Sequence, residues 1–167
     1  MIPLNNPKLM TLEQAVERRA QMRQNGQKLV LTNGVFDLLH TGHLYFLQAA
    51  AAQGGALWIA LNADASTRAL KGPTRPVQTE LERGYALAAL GFVSGILIFE
   101  TPRLDNEIRS LSPDIYVKAG DYTLESLNPI ERTALQEVGA EVRFLPFLEG
   151  FSTTALIAKI AAAATTF

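Results

Sequence analysis

The sequence predicts an α/β domain on a doubly wound, five-stranded parallel sheet, and three observations lead there. Short apolar runs alternate with longer stretches of helical periodicity, the pattern of parallel strands joined by crossover helices. The runs are continuous rather than strictly alternating, as in strands covered on both faces. A length of 167 residues with 48% apolar side chains suits one sizeable core, hence a single domain over residues 1–167, with an N-terminal helical segment 1–27 and a catalytic core 28–160.

Taken in order, the first helix spans residues 12–25: Thr11 and Gln14 have capping-box spacing, and Gly26 stands where a helix stop belongs. The first strand follows at 28–32, then a helix at 42–53 that opens just after a glycine turn. Strand 57–61 leads to helical stretches 65–70 and 80–90, strand 95–99 to helix 104–111, and strand 115–118 to helix 129–138, which Gly139 ends. Strand 141–145 and helix 153–164 complete the chain, and the small-residue runs at 49–52 and 161–164 suit close helix packing. In such open sheets ligands bind beyond the carboxyl ends of the strands.

Charge narrows the function. With 15 basic and 16 acidic residues the formal net charge is -1, so neither nucleic acid nor an anionic membrane surface is expected as a partner, and any phosphate site must be local. Cysteine is absent, which removes disulfides, thiolate zinc sites and cysteine nucleophiles. Residues 1–10 lack the apolar length of a signal peptide, and no stretch approaches the roughly 20 apolar residues of a membrane span. A cytoplasmic protein is the expectation.

The chemistry concentrates where the first strand ends, in Thr32-Asn33-Gly34-Val35-Phe36-Asp37-Leu38-Leu39-His40-Thr41-Gly42-His43. A helix starting near Gly42 offers free N–H groups and a positive dipole end, an anion site that a side chain at that glycine would obstruct. His40 and His43, the only histidines, can face one phosphate there and donate to charge that builds on its oxygens during transfer. Read separately, a histidine near a helix start is a common structural residue and Asn-Gly a common turn. A zinc pair would prefer an i, i+4 spacing and a further ligand.

This stretch resembles the signature of the His-x-Gly-His nucleotidyltransferase superfamily, a Rossmann-like fold. The segments Asn62 to Ser66, Leu70 to Pro73, Arg75 to Val77, Glu82-Arg83, Val117 to Tyr122 and Glu149 to Thr154 are similar to one branch of it, the adenylyltransferase domain of ADP-heptose synthesis. The resemblance runs from about Leu12 to Ile160 and implies transfer of a nucleotidyl group from ATP or CTP to a phosphorylated sugar or polyol, with magnesium on the triphosphate. Heptose 1-phosphate is the acceptor it favours; glycerol-3-phosphate-type cytidylyl transfer is the neighbouring reading, and a non-catalytic nucleotide-binding protein the reading of another class. It also implies a homodimer and a sugar kinase working beside this domain.

Roles carried over are catalytic for His40, His43 and Lys71; nucleotide-binding for Asn33, Gly34, Phe36, Gly42, Arg83, Lys118, Ser152 and Thr153; and acceptor-binding for Asp37, Arg75 and Asp121. No side chain is assigned as a direct metal ligand. The residue types suit these roles: guanidinium forks grip phosphate oxygens, and hydroxyls opening a helix present an anion site. Each also has a plainer reading. Arg75 and Arg83 could pair with Glu80 or Glu82, Ser152 could simply cap its helix, Asp121 could shape a turn, and Asp64 could cap the helix after the second strand. Ala119 in place of glycine, Asn128-Pro129 in place of Val-Gly, and Phe147 in place of the cytidylyltransferase arginine depart from the pattern, and acceptor choice is expected to lie around residues 119–129.

Overall fold

A computed structural model describes residues 6–120, 122–146 and 148–164. Six strands form one sheet: β1 (Leu9–Met10), β2 (Leu29–Gly34), β3 (Ala56–Asn62), β4 (Val93–Phe99), β5 (Ile115–Ala119) and β6 (Glu141–Leu145). Around them lie α1 (Leu12–Gln24), α2 (Thr41–Ala51), α3 (Asp64–Lys71), α4 (Glu80–Ala88), α5 (Asp105–Leu111), α6 (Pro129–Glu137) and α7 (Thr153–Ala164). The bounds lie within two residues of those expected.

Among the described residues the sheet has six strands instead of the five expected. The addition, β1, is two residues long, too short to show periodicity, and runs parallel to the outer side of β4 at Ile96 and Leu97. Strand order is β1-β4-β3-β2-β5-β6 with every neighbour parallel, so the order reverses between β2 and β5. A crevice opens at such a reversal, on the carboxyl side.

Alternation along each strand divides the core into two layers. Leu29, Leu31, Trp58, Ala60, Leu97 and Tyr116 pack with α1, α5 and α6 on one face. Val30, Leu57, Ile59, Leu61, Ile96, Ile115 and Val117 pack with α2 and α4 on the other. These strand side chains are almost fully withdrawn from water. Each large aliphatic one contributes about 1.5–3 kcal/mol. Gly95 makes room for the Trp58 indole, because a Cβ there would lie 2.9 Å from its Nε1.

Local signals fix the helix ends, as expected at Thr11, Gln14, Gly26 and Gly139, with a further box at Thr79. Thr11 and Gln14 form the capping box of α1, Thr79 and Glu82 that of α4, and Gly26 and Gly139 take positive φ of 65° and 69° after α1 and α6. Arg19 of α1, 3% exposed, donates to the carbonyls of Leu111, Gln27 and Ser112 and to Asp114, whose carboxylate accepts the N–H of Leu29 at the start of β2. Residues before 28 are thereby joined to the sheet that carries the site. Among the described residues no helix is long and apolar enough to cross a membrane.

Candidate active site

A cleft of about 1160 Å³ opens along the carboxyl ends of β2 to β5. One wall is made by the loop after β2 and the starts of α2 and α7, with His40, Gly42, His43, Phe151, Ser152 and Thr153. The other comes from the loops after β4 and β5 and the start of α6, including Phe99, Arg103, Lys118, Glu125, Asn128 and Glu131. Lys71 and Arg75 stand on the cleft from the α3 end and the loop beyond it.

The loop after β2 is shaped by its own side chains. Phe36 holds the left-handed region at φ 45° and lays its ring against Gly34, where a Cβ would come within 2.8 Å of it. Its other neighbour is His43, at 5.2 Å between ring centres in an edge contact. Helix α2 begins at Thr41, and His40 is its N-cap: Nδ1 accepts the His43 N–H at 3.4 Å. An N–H can only donate, so Nδ1 presents a lone pair and the neutral ring carries its proton on Nε2. The two imidazoles stack at 3.8 Å. Burial, and then the neighbouring His40, lower the His43 pKa to about 4, against smaller opposing effects from the Leu38 backbone and Asp37. Burial also lowers His40. Gly42 is required by crowding, since a Cβ would meet Phe151 Cβ at 3.0 Å and the His40 ring at 3.1 Å. That contact sets the start of α7 against the start of α2, where Ser152 Oγ accepts the Ala155 N–H at 3.1 Å. Two helix N-termini thus open on one cleft, and both favour an anion.

Of the described residues with an expected role, all but Arg83 line this cleft. Arg83 is fully buried. Its Nε donates to the Gln78 carbonyl, Nη1 to the Val35 carbonyl and Nη2 to Asp64 at 2.7 Å. The expectation of a phosphate contact is therefore corrected: Arg83 braces α4, α3 and the loop after β2 from beneath. Asp64 is the first residue of α3, not its cap; it pairs with Arg83, and its own N–H is taken by Glu80.

Asp37 lies on the cleft with 1% of its side chain exposed, and both oxygens are engaged. One accepts from Arg75 Nε at 2.6 Å and the other from the N–H groups of Val77 and Gln78. Asp37 thus fixes the loop after α3 and leaves the terminal nitrogens of Arg75 without a protein partner among the described residues. Lys71 is exposed and likewise unpaired. Lys118 donates to Asn33 Oδ1 at 2.6 Å; burial lowers its pKa and Glu131 opposes that shift. Glu131, 7% exposed, accepts the Leu104 N–H at the start of α5. Asp121 and Phe147 lie outside the described residues.

The cleft residues given no role beforehand are Asn62, Phe99, Arg103 and Glu131, while Glu125 and Ser126 lie in the stretch 119–129 where acceptor choice was expected. Asn62 and Phe99 end strands at the ligand edge, a position that could have marked them. Among the described residues no three His, Cys, Asp or Glu come together to hold a metal ion.

A parallel sheet with two helix starts and a histidine pair at its point of reversal defines a phosphate-handling, nucleotide-binding α/β domain. The comparisons specify it further. A match to the cytidylyltransferase-like family covers residues 31–159, and the chain belongs to that family of nucleotidyltransferases. Similar proteins include the bifunctional protein HldE of Koribacter versatilis, 40% identical over 158 residues, and that of Trichlorobacter lovleyi, 42% over 156. The bifunctional protein HldE of Helicobacter pylori is 43% identical over 155 residues. These alignments cover 93–95% of this chain but 31–32% of the relatives, so the chain spans about a third of their length. The fold is shared with a lipopolysaccharide core biosynthesis protein from Thermoplasma volcanium, at TM-score 0.60 and 23% identity over 74% of this chain and 98% of that one. It is also shared with pantoate-beta-alanine ligase from Francisella tularensis, at TM-score 0.56 and 11% identity over 95% of this chain and 78% of that one.

Proposed function

We propose that this domain transfers an adenylyl group from ATP to the phosphate of a sugar 1-phosphate, with heptose 1-phosphate as the acceptor. The observation that carries this reading is the convergence of the starts of α2 and α7 on one cleft beside His40 and His43. Similarity to the bifunctional HldE proteins over nearly the whole chain supports the adenylyl branch.

In the reaction an oxygen of the acceptor phosphate attacks the α-phosphorus, a new P–O bond forms, and the bond to pyrophosphate breaks. The attacking phosphate is already ionised at neutral pH, so no general base is needed. Positioning and charge stabilisation do the work. His43 is neutral there and serves as a dipolar donor, while His40 offers its Nε2 proton to the same phosphate. Lys71, exposed and unpaired, follows the charge as it moves to the leaving pyrophosphate. Ser152 and Thr153 grip the outer phosphates at the start of α7, and the free nitrogens of Arg75 reach the acceptor phosphate. The carboxylates and hydroxyl of Glu125, Glu131 and Ser126 suit a polyhydroxylated acceptor. Magnesium, carried by the triphosphate and its waters, would supply charge neutralisation. A kinase supplying the 1-phosphate, a homodimeric assembly and a cytoplasmic setting belong to the same proposal.

Pyrophosphate release from purified protein, with ATP and CTP each offered a panel of sugar and polyol phosphates, tests this directly. Turnover with ATP and heptose 1-phosphate is expected. Turnover only with CTP and glycerol 3-phosphate would make it a cytidylyltransferase, and nucleotide binding with no turnover on any acceptor would leave a binding protein. In the same assay His43→Ala should lower turnover about 100-fold or more while nucleotide affinity changes little. Equal losses in both would count against a transition-state role.

A further inference from the structure

Tyr116 has no part in the reading above. It is 0% exposed, packs in the apolar layer with Leu29, Leu31 and Trp58, and does not line the cleft. A phenol buried among hydrocarbon needs a partner for its hydroxyl. That partner is Asn33: the Tyr116 hydroxyl donates to Oδ1 at 2.8 Å, and Lys118 Nζ donates to the same oxygen at 2.6 Å. Sheet geometry brings the three together. Leu31 lies beside Tyr116 in the β2–β5 register, so two residues further on Asn33 and Lys118 share the same face at the carboxyl edge.

The arrangement fixes which way the amide points. An ammonium has no lone pair, so the atom it meets must be the oxygen of Asn33. Burial raises the Tyr116 pKa well above its ordinary value, which keeps the hydroxyl a donor. Both lone pairs of Oδ1 are therefore occupied. The amide nitrogen is turned away from both donors, neither of its protons is engaged by a described residue, and Asn33 lines the cleft.

We propose that Tyr116 is a positioning residue: with Lys118 it locks the Asn33 side chain so that Nδ2 stands ready to donate to a phosphate oxygen in the cleft. The inference rests on the nucleotidyl-transfer reading. A donor already aimed where charge develops needs no reorganisation during the reaction, and one that must first find its rotamer does. The effect of freeing Asn33 should therefore fall on kcat more than on nucleotide affinity.

Tyr116→Phe keeps the ring and removes the lock. It should lower kcat about tenfold, the worth of one hydrogen bond, with melting temperature and nucleotide affinity nearly unchanged. Asn33→Ala should lose at least as much, and the double variant no more than Asn33→Ala alone, because Tyr116 acts only through Asn33. Unchanged kcat in Tyr116→Phe, or additive losses in the double variant, would overturn the proposal. Asn33→Asp covers a Tyr116 variant that does not fold: its carboxylate still accepts from Tyr116 and Lys118 but donates nothing, so full kcat there would also overturn it. Independently of turnover, the Asn33 side-chain amide signals in a 15N-edited spectrum should shift when a non-hydrolysable ATP analogue is added. Unmoved signals overturn the inference, whereas a shift in a wild type that shows no turnover overturns the transfer reading instead.

Discussion

Stacked on His40 and largely withdrawn from water, the His43 imidazole titrates at about 4 instead of its ordinary 6.5. Its Nδ1 is buried without a hydrogen-bond partner of good geometry, so burial dominates. The consequence for stability has a definite sign. Below pH 6.5 the unfolded imidazole takes up a proton that the folded one refuses until about 4, so the unfolded state binds more protons and stability falls as the pH drops through that window. Above pH 6.5 the group contributes no slope. Replacing it with a side chain that does not titrate, His43→Gln, should flatten the decline by about 1–2 kcal/mol at pH 5, read from urea unfolding at pH 7.5 and pH 5. A variant with the same slope as wild type would mean that the folded imidazole protonates normally. At this scale the sequence was informative: two histidines three apart, flanking a glycine and following a strand, were enough to locate the pair. Phe36, whose ring meets His43 edge-on, adopts a positive φ that its residue type does not announce.

Arg83 shows where element packing decides the role of a side chain. Its residue type and its place beyond Lys71 and Arg75 suit a phosphate ligand, yet α4 lies with Arg83 inward and gives its three nitrogens to Gln78, Val35 and Asp64. Nothing in the sequence states which face of a nine-residue helix turns in when arginine is the residue buried. Removing the guanidinium strands the Val35 carbonyl and the Asp64 carboxylate together. Arg83→Met should therefore cost about 3 kcal/mol in urea unfolding and loosen the loop after β2. Full stability with lost nucleotide affinity would instead return Arg83 to the phosphates. The second wall was hidden for a related reason. Phe99 and Arg103 lie at and just beyond the end of β4 and Glu131 at the start of α6, and only the order β4-β3-β2-β5 brings those segments to one cleft. Acceptor choice was expected around residues 119–129, and Ala119, Tyr122, Glu125 and the stretch from Ser126 to Pro129 do line the cleft.

For the whole molecule the net charge is -1, and the cleft is of mixed sign: Lys71, Arg75, Arg103 and Lys118 reach it beside Asp37, Glu125 and Glu131, so a polyanion is held by particular cations and helix starts, not by a broad positive field. A polyanion held there binds the folded chain only. At about 100 times its Kd, ATP should stabilise the protein by about 2.7 kcal/mol and raise the melting temperature by about 5–10 °C in a thermal scan. No shift at saturating nucleotide would contradict a preformed site. Alternating elements made the architecture legible from the first run of residues to the last, apart from the pair at Leu9–Met10. That pair does more than add a sixth strand. It occupies the hydrogen-bonding side of β4, Lys8 ties it to the carbonyls of Ala88 and Leu90, and α1 lies over the layer below. A chain trimmed to the stretch from residue 28 onward would present β4 as a bare, apolar edge, open to pairing with another molecule. The short strand thus closes that edge of the sheet, although it contributes no atom to the cleft.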